Sequence, residues 1–408
     1  MSYPDWFRRL ASGRGANRPP ATTRTMKPVL ITAVSAALVV IAGVALLLVA
    51  PGKTMFWITS VAASRQDGAK PAAALQVTSV TPGSNSRSVN GTAPIQVGFS
   101  APLARNSPLP RLSPSVAGSW KVDGSSATFT PAAGIPEDTA VTLTVPGGSS
   151  GTRSAAGAKA GAGGYLASGF TTSFTTASYP SLRLEQLLAQ LGYLPLTWTP
   201  SGTAIQPSDT AGQLAAAYSP PSGSFSWQSG YPSVLHDFWS DGSGNLIVTG
   251  AVRAFQSEQG LTMDGVAGPQ VWSDLLKAVA AGHSNGKGYT YAVASKSLPE
   301  TLTIWHDGRE VLSSPANTGI PEAPTADGTF PVYERLPFQI MQGTNPDGST
   351  YADPVSWVSY FNGGDAVHYF DRGSYGWPQS LGCVELPYST ARIAYGYLSY
   401  GSLVTVAG

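Results

Sequence analysis

The run from Ala366 to Leu386, AVHYFDRGSYGWPQSLGCVEL, holds Cys383, the one cysteine among 408 residues, fifteen positions after His368. Ala366-Val367-His368-Tyr369 reads as a strand, the stretch from Asp371 to Gly376 as a glycine-containing excursion, and Ser380-Leu381-Gly382-Cys383 as a turn. A lone cysteine cannot close an intramolecular disulfide, and structural zinc sites need several Cys or His at short spacing. Cys383 is therefore either a buried small residue or a nucleophile. A nucleophilic thiol needs a base, and imidazole is the usual one because it takes and returns a proton near neutral pH. His368 ends a strand from which the chain returns toward Cys383, which makes it the candidate base. His236 and His283, in or beside a helical stretch, and His306, at a strand end, read as surface or packing residues. Gly382 lacks a Cβ, so a substrate carbonyl has room to approach the amides of Gly382 and Cys383 as an oxyanion site. A helix downstream would direct its positive N-terminal end toward the thiolate. On spacing alone both roles for the thiol stay open.

Outward from this run, residues 288–408 alternate in short strands: Tyr289 to Ala294, Thr301 to Trp305, Val311 to Ser313, Phe330 to Tyr333, Val355 to Phe361 and Leu403 to Val406. Asp307-Gly308 marks a tight hairpin between two of them. Only Tyr388 to Leu398 has helical spacing, so the expectation is a mostly-β domain. Residues 181–282 switch to helical periodicity. Leu182, Leu184, Leu187, Leu188 and Leu191 share a face that ends at Gly192, a second segment runs from Thr249 through Val252, Ala254 and Phe255, and a third follows Gly268 with Val271, Trp272, Leu275, Leu276 and Val279. An insertion rich in Pro, Ser and Gly, at about 196–234, separates the first helix from the others and reads as a loop. Residues 74–178 carry short period-two runs divided by Pro, Gly and Asn clusters, the pattern of an antiparallel sandwich. No clustered chemistry falls in it, and a spacer role is expected.

Residues 28–50 carry no charge. At about 1.5 Å per residue they make a helix of about 34 Å, enough to cross about 30 Å of hydrocarbon. Arg8, Arg9, Arg14, Arg18, Arg24 and Lys27 precede the run against Asp5 alone, whereas Lys53 is the first charge after it, so segment 1–27 is expected in the cytoplasm. The run is long for a cleaved signal peptide, which favours a single-pass anchor followed by a stalk at 51–73 and extracellular domains. Charged residues make up 12% and the net charge is +1, which gives no argument for a nucleic-acid partner. No metal or cofactor is expected, and the oligomeric state is not legible.

Three stretches also resemble known families. Thr81-Pro82-Gly83, Phe99-Ser100 and Phe129-Thr130-Pro131 resemble the bacterial Ig-like domain of wall proteins. Leu191-Gly192-Tyr193-Leu194, Val252 to Gln256, Gly260-Leu261, Asp264-Gly265, Gly268 and Trp272 are similar to the three-helix peptidoglycan-binding domain. His368, Ser380-x-Gly382-Cys383, the segment from Pro324-Thr325 to Gly328-Thr329-Phe330, and the closing helix with Gly401-Ser402-Leu403-Val404 resemble the L,D-transpeptidase family with its YkuD-type catalytic domain. That resemblance implies Cys383 as nucleophile, His368 as base, Ser380 and Gly382 as the supporting turn, and Tyr351, Tyr369, Leu381 and Glu385 beside the substrate. Leu381 stands where the family usually has histidine, and Glu385 where it usually has arginine or asparagine.

The implied reaction joins peptidoglycan stem peptides. Cys383 attacks the carbonyl before D-Ala, D-Ala leaves, and an amine of a neighbouring stem resolves the thioester to a 3→3 cross-link. Water as acceptor would make the enzyme an L,D-carboxypeptidase, and loss of activity would leave a wall-binding protein. The chain lacks the Thr-Leu-x-Thr-Cys strand of sortases. It also has no histidine after Cys383, where wall peptidases of the NlpC/P60 type place theirs.

Overall fold

The computed structural model describes residues 74–155 and 164–408. Segment 1–27, the apolar run 28–50 and the stalk 51–73 lie outside the described residues, and so does the expected membrane helix. Among the described residues no helix is long and apolar enough to cross a membrane.

The first described region is a two-sheet sandwich. Its strands are β1 (Val77–Thr81), β2 (Ser86–Val89), β3 (Ile95–Phe99), β4 (Arg111–Ser113), β5 (Gly118–Asp123), β6 (Ser126–Pro131), β7 (Ala140–Val145) and β8 (Phe170–Thr176). They form sheets in the orders β1-β3-β6-β5 and β2-β8-β7-β4. Alternation does the work expected of it: Ile95, Val97 and Phe99 face Val141, Leu143 and Val145 across one buried core. The edge strands β2 and β4 escape the sequence pattern because SRSV and RLS are short and polar. Strand β2 also runs parallel to β8, so the sandwich is mixed where a purely antiparallel one is expected.

The helical region contains α1 (Ser181–Gln190), α2 (Thr210–Tyr218), α3 (Leu246–Gln259) and α4 (Pro269–Ala280). Asn245 caps α3 by accepting the Val248 amide at 3.0 Å, Gly260 ends it at φ 67°, and Pro269 opens α4. The insertion is folded and not a plain loop. Strand β9 (Leu196–Pro200) pairs antiparallel with β10 (Gly223–Trp227), and α2 lies between them in the chain. Aromatic packing holds it, with ring centroids of Trp198 and Phe225 4.8 Å apart and those of Phe225 and Trp239 5.1 Å apart. The core around Leu187, Phe255, Trp272 and Leu275 continues into Tyr291 and Leu403 of the C-terminal domain. The backbones meet closely there, since a Cβ on Gly250 would lie 2.4 Å from the Gly401 carbonyl oxygen.

The C-terminal domain comprises β11 (Thr290–Ser295), β12 (Thr301–His306), β13 (Arg309–Pro315), β14 (Gly328–Pro331), β15 (Glu334–Thr344), β16 (Thr350–Asn362), β17 (Asp365–Tyr369), β18 (Val384–Leu386), α5 (Tyr388–Tyr397) and β19 (Leu403–Ala407). Its sheets run β13-β12-β11-β19-β14 and β15-β16-β17-β18. Asp307 and Gly308 turn the β12–β13 hairpin with φ of 46° and 72°, the left-handed pair that such a turn requires. Strands β15 and β18 are the two that sequence patterning misses. Strand β15 leaves Phe338 and Ile340 exposed, and β18 is three residues long.

Candidate active site

The short strand β18 builds the site. It pairs in parallel with β17, matching Val367 to Val384, His368 to Glu385 and Tyr369 to Leu386. Side chains alternate along a strand, so one step back along this register sets Cys383 beside Ala366, on the face that carries His368. The thiol points at the Gly364 carbonyl at 3.7 Å, and the Ala366 backbone favours its charged form. Residues 364–366 thus cradle Sγ.

The turn before Cys383 is fastened from within. Ser380 Oγ donates to the Cys383 carbonyl at 2.6 Å and accepts the Gly382 amide at 3.2 Å. The segment 317–320 braces it from behind: the Ser380 amide donates to Thr318 O at 3.0 Å, and the Ile320 amide to Ser380 O at 2.9 Å. Thr318 in turn gives its amide and hydroxyl to the buried Glu300 carboxylate at 2.5 and 2.7 Å. Gly382 adopts φ 113°, open to glycine and rare for other residues. The space over its Cα is not empty, because a Cβ there would lie 2.6 Å from Asp365 Oδ1. The Gly382 amide would have to leave Ser380 to serve an oxyanion.

His368 is 3% exposed. Its Nδ1 lies 3.0 Å from the Tyr369 carbonyl. A carbonyl only accepts, so Nδ1 carries the proton and the neutral ring keeps a lone pair on Nε2. Burial lowers the pKa of His368, against smaller raising effects of the Tyr369 carbonyl and of Glu385. Part of Cys383 reaches solvent, yet Tyr333, Leu336, Met341 and Phe370 crowd the same cluster. Burial among them pushes the thiol up to about 12, Asp365 and Glu385 add to the rise, and the Ala366 backbone opposes it. The resting pair is therefore a neutral thiol and a neutral imidazole. Alkylation of Cys383 by iodoacetamide should accelerate about tenfold per pH unit from about pH 7 to about pH 10 without a plateau. A plateau near neutrality would mean a preformed thiolate–imidazolium pair.

The remaining expected residues divide. The ring of Tyr351 on β16 lies over Gly343, and burial first, then Cys383, raises its pKa, so it stands within electrostatic reach of the thiol. Tyr369 turns its side chain against Tyr388, 5.1 Å between centroids, and offers the site its carbonyl. Leu381 is half-buried at the turn. Glu385 is buried and held by Arg372, whose Nε and terminal nitrogen reach its two oxygens at 2.8 and 2.7 Å. Arg372 also donates to Gln379 O at 3.0 Å, and Asn317 Nδ2 to Glu385 at 3.4 Å. Sequence reasoning missed Arg372, Asn317 and Asp365. The signal for Arg372 was present: one arginine in the excursion and one acid two residues past the cysteine. Among the described residues no three His, Cys, Asp or Glu side chains converge as metal ligands.

Comparison with known proteins finds a family model that matches part of each of the three described regions. Residues 71–176 match the family model of the bacterial Ig-like domain, residues 240–275 that described as "Putative peptidoglycan binding domain", and residues 289–406 that of the L,D-transpeptidase catalytic domain, YkuD. Among solved structures, an L,D-transpeptidase from Mycobacterium smegmatis is 16% identical, with 82% of this chain and 99% of that one covered at a TM-score of 0.28. The catalytic domain of the E. faecium L,D-transpeptidase is 27% identical over 29% of this chain and 95% of that one, with a TM-score of 0.27. L,D-transpeptidase 3 from Mycobacterium tuberculosis, in complex with a faropenem-derived adduct, is 16% identical over 81% and 98%, with a TM-score of 0.28. No curated protein matches the chain.

Proposed function

We propose that this chain, which carries a YkuD-type L,D-transpeptidase catalytic domain at residues 289–406, is a cysteine acyltransferase acting on peptidoglycan stem peptides. One observation carries the reading: the parallel β17–β18 register sets Cys383 on the face of His368, while the Tyr369 carbonyl keeps the His368 Nε2 lone pair free. His368 Nε2 takes the thiol proton as sulfur attacks the carbonyl joining the diamino residue to D-Ala. Collapse of the tetrahedral adduct breaks that C–N bond. The imidazolium returns its proton to the departing D-Ala nitrogen and a thioester remains. An amine of a second stem attacks it, giving a 3→3 cross-link; water in its place gives carboxypeptidase turnover.

The departures from the family pattern do not favour an inert wall-binding protein. Leu381 leaves the turn's backbone bonds in place, and Arg372 neutralises Glu385. The apolar run 28–50 with its basic flank supports a single-pass anchor holding the catalytic domain outside the cell. The Ig-like and peptidoglycan-binding regions support tethering to the wall, which raises the local substrate concentration. The test is intact mass of the full chain after incubation with disaccharide tetrapeptide. The expected product is an acyl adduct formed with loss of one D-Ala. No adduct with either tetrapeptide or a carbapenem would overturn the reading.

A further inference from the structure

Two carboxylates act on the Cys383 thiol, Asp365 and Glu385. They differ in one respect. Glu385 is fully engaged by Arg372, the cation of this neighbourhood, through two bonds of 2.8 and 2.7 Å. Asp365 has no cationic partner among the described residues; it accepts a hydrogen bond from Asn362 Nδ2 at 3.3 Å, and the Ala326 backbone favours its charged form. It is half-buried at the start of β17, and Oδ1 lies over the Cα of Gly382, the residue before the nucleophile. Burial raises its pKa, as befits a carboxylate without a counter-ion. A third acid, Asp353 on β16, acts on Tyr351 together with Cys383. Asp353 also acts on Arg372, so of the three acids Asp365 is the one left without a cation.

An unpaired anion beside a carbonyl that must become an oxyanion opposes the chemistry, unless a cation sits against it when the chemistry occurs. One reactant of the acyl-transfer reading carries that cation. We infer that Asp365 is the binding group for the ammonium of the acyl acceptor, the side-chain amine of a diamino residue on the neighbouring stem, and that it sets this nitrogen beside the Cys383 thioester. The inference rests on the acyl-transfer reading above. In the second half-reaction the ammonium held by Asp365 gives one proton to His368 Nε2, which releases it to solvent. The freed lone pair forms the C–N bond, the C–S bond breaks, and the second proton lost by nitrogen ends on the Cys383 sulfur. Thioester and ammonium become amide, thiol and one proton.

The test compares acceptors that differ in charge. The full chain is acylated with tetrapeptide donor and then offered either a tripeptide with a free side-chain ammonium or hydroxylamine, which is uncharged at neutral pH. In Asp365→Asn, transfer to the ammonium acceptor should fall about tenfold relative to capture by hydroxylamine, both measured from the same preformed thioester. An equal fall for both acceptors, or a fall in acylation alone, would overturn the inference and leave Asp365 a brace for Gly382. A binding measurement decides the case where the variant folds poorly or wild type forms no adduct, the latter outcome sinking the acyl-transfer reading itself. The Cys383→Ala chain is titrated with the same tripeptide bearing a free or an acetylated side-chain amine. The free form should bind about tenfold tighter; equal binding would refute the role of Asp365.

Discussion

A Cys383→Ala chain is expected to form no acyl adduct with tetrapeptide or carbapenem, and to lose at least about 10⁴-fold in turnover. No other thiol exists in the sequence to take over. The fold should hardly notice the change. Cys383 is half-buried at the margin of the Val355–Tyr360 cluster, so removing one sulfur should cost about 1 kcal/mol or less. Loss of activity with an unchanged denaturation midpoint would therefore report chemistry. His368→Ala makes the companion measurement. With the thiol pushed up to about 12, the unassisted thiolate is about one part in 10⁵ at neutral pH, and attack depends on a base taking the proton during the step. Adduct formation in His368→Ala should slow about 10²- to 10⁴-fold and recover in part as pH rises. If it proceeds at the wild-type rate, Nε2 is not the base.

The strands and helices with strong periodicity were legible because their two faces differ in solvent exposure. The Asp307-Gly308 hairpin, Gly260 closing α3, and the alternation of Ile95, Val97 and Phe99 are cases where local chemistry and the tertiary answer agree. The insertion at 196–234 was misread as loop because its strands are short and its composition is that of turns. It folds because Trp198, Phe225 and Trp239 pack on one another, a long-range fact that no local window contains. Cys383 and His368 could be singled out as a pair, but their relation is set by β18, whose three residues carry no detectable period.

Two residues changed meaning for the same reason. Gly382 was expected to leave room for a carbonyl, and its Cα is covered by the Asp365 carboxylate, which arrives from the far end of β17. Glu385 stood out as a reversed charge beside the substrate, and the β17–β18 register brings Arg372 to cancel it. Contacts of this kind depend on register between segments, which residue identity alone does not encode.

That ion pair gives the second large effect. Arg372→Ala is expected to destabilise the chain by about 2–3 kcal/mol and to slow adduct formation by about 10²-fold or more. The Glu385 side chain is 5% exposed, so its charge cannot be rehydrated once the guanidinium is gone, and the 3.4 Å contact from Asn317 is too long to replace two charge-assisted bonds. The arginine side chain is 28% exposed, which keeps the cost below that of a fully enclosed pair. The same guanidinium ties Gln379, one residue before Ser380, to Glu385, two residues after Cys383. It therefore clamps both ends of the nucleophile's turn, and its bonds to Glu385 hold its own pKa above the usual value. Glu385→Gln should cost less, about 1 kcal/mol, because a neutral amide tolerates burial and the partly exposed Arg372 can turn to water. The double variant Arg372→Ala/Glu385→Gln should recover most of the stability lost in Arg372→Ala, since no unpaired buried charge remains, while adduct formation stays slow because the turn is still unclamped. Urea unfolding of the three variants, with single-turnover acylation of each, separates the two effects. Equal destabilisation by the two single changes would show that Glu385 does not depend on Arg372 for its charge, and that the turn is held by the Ser380 and Thr318 bonds alone.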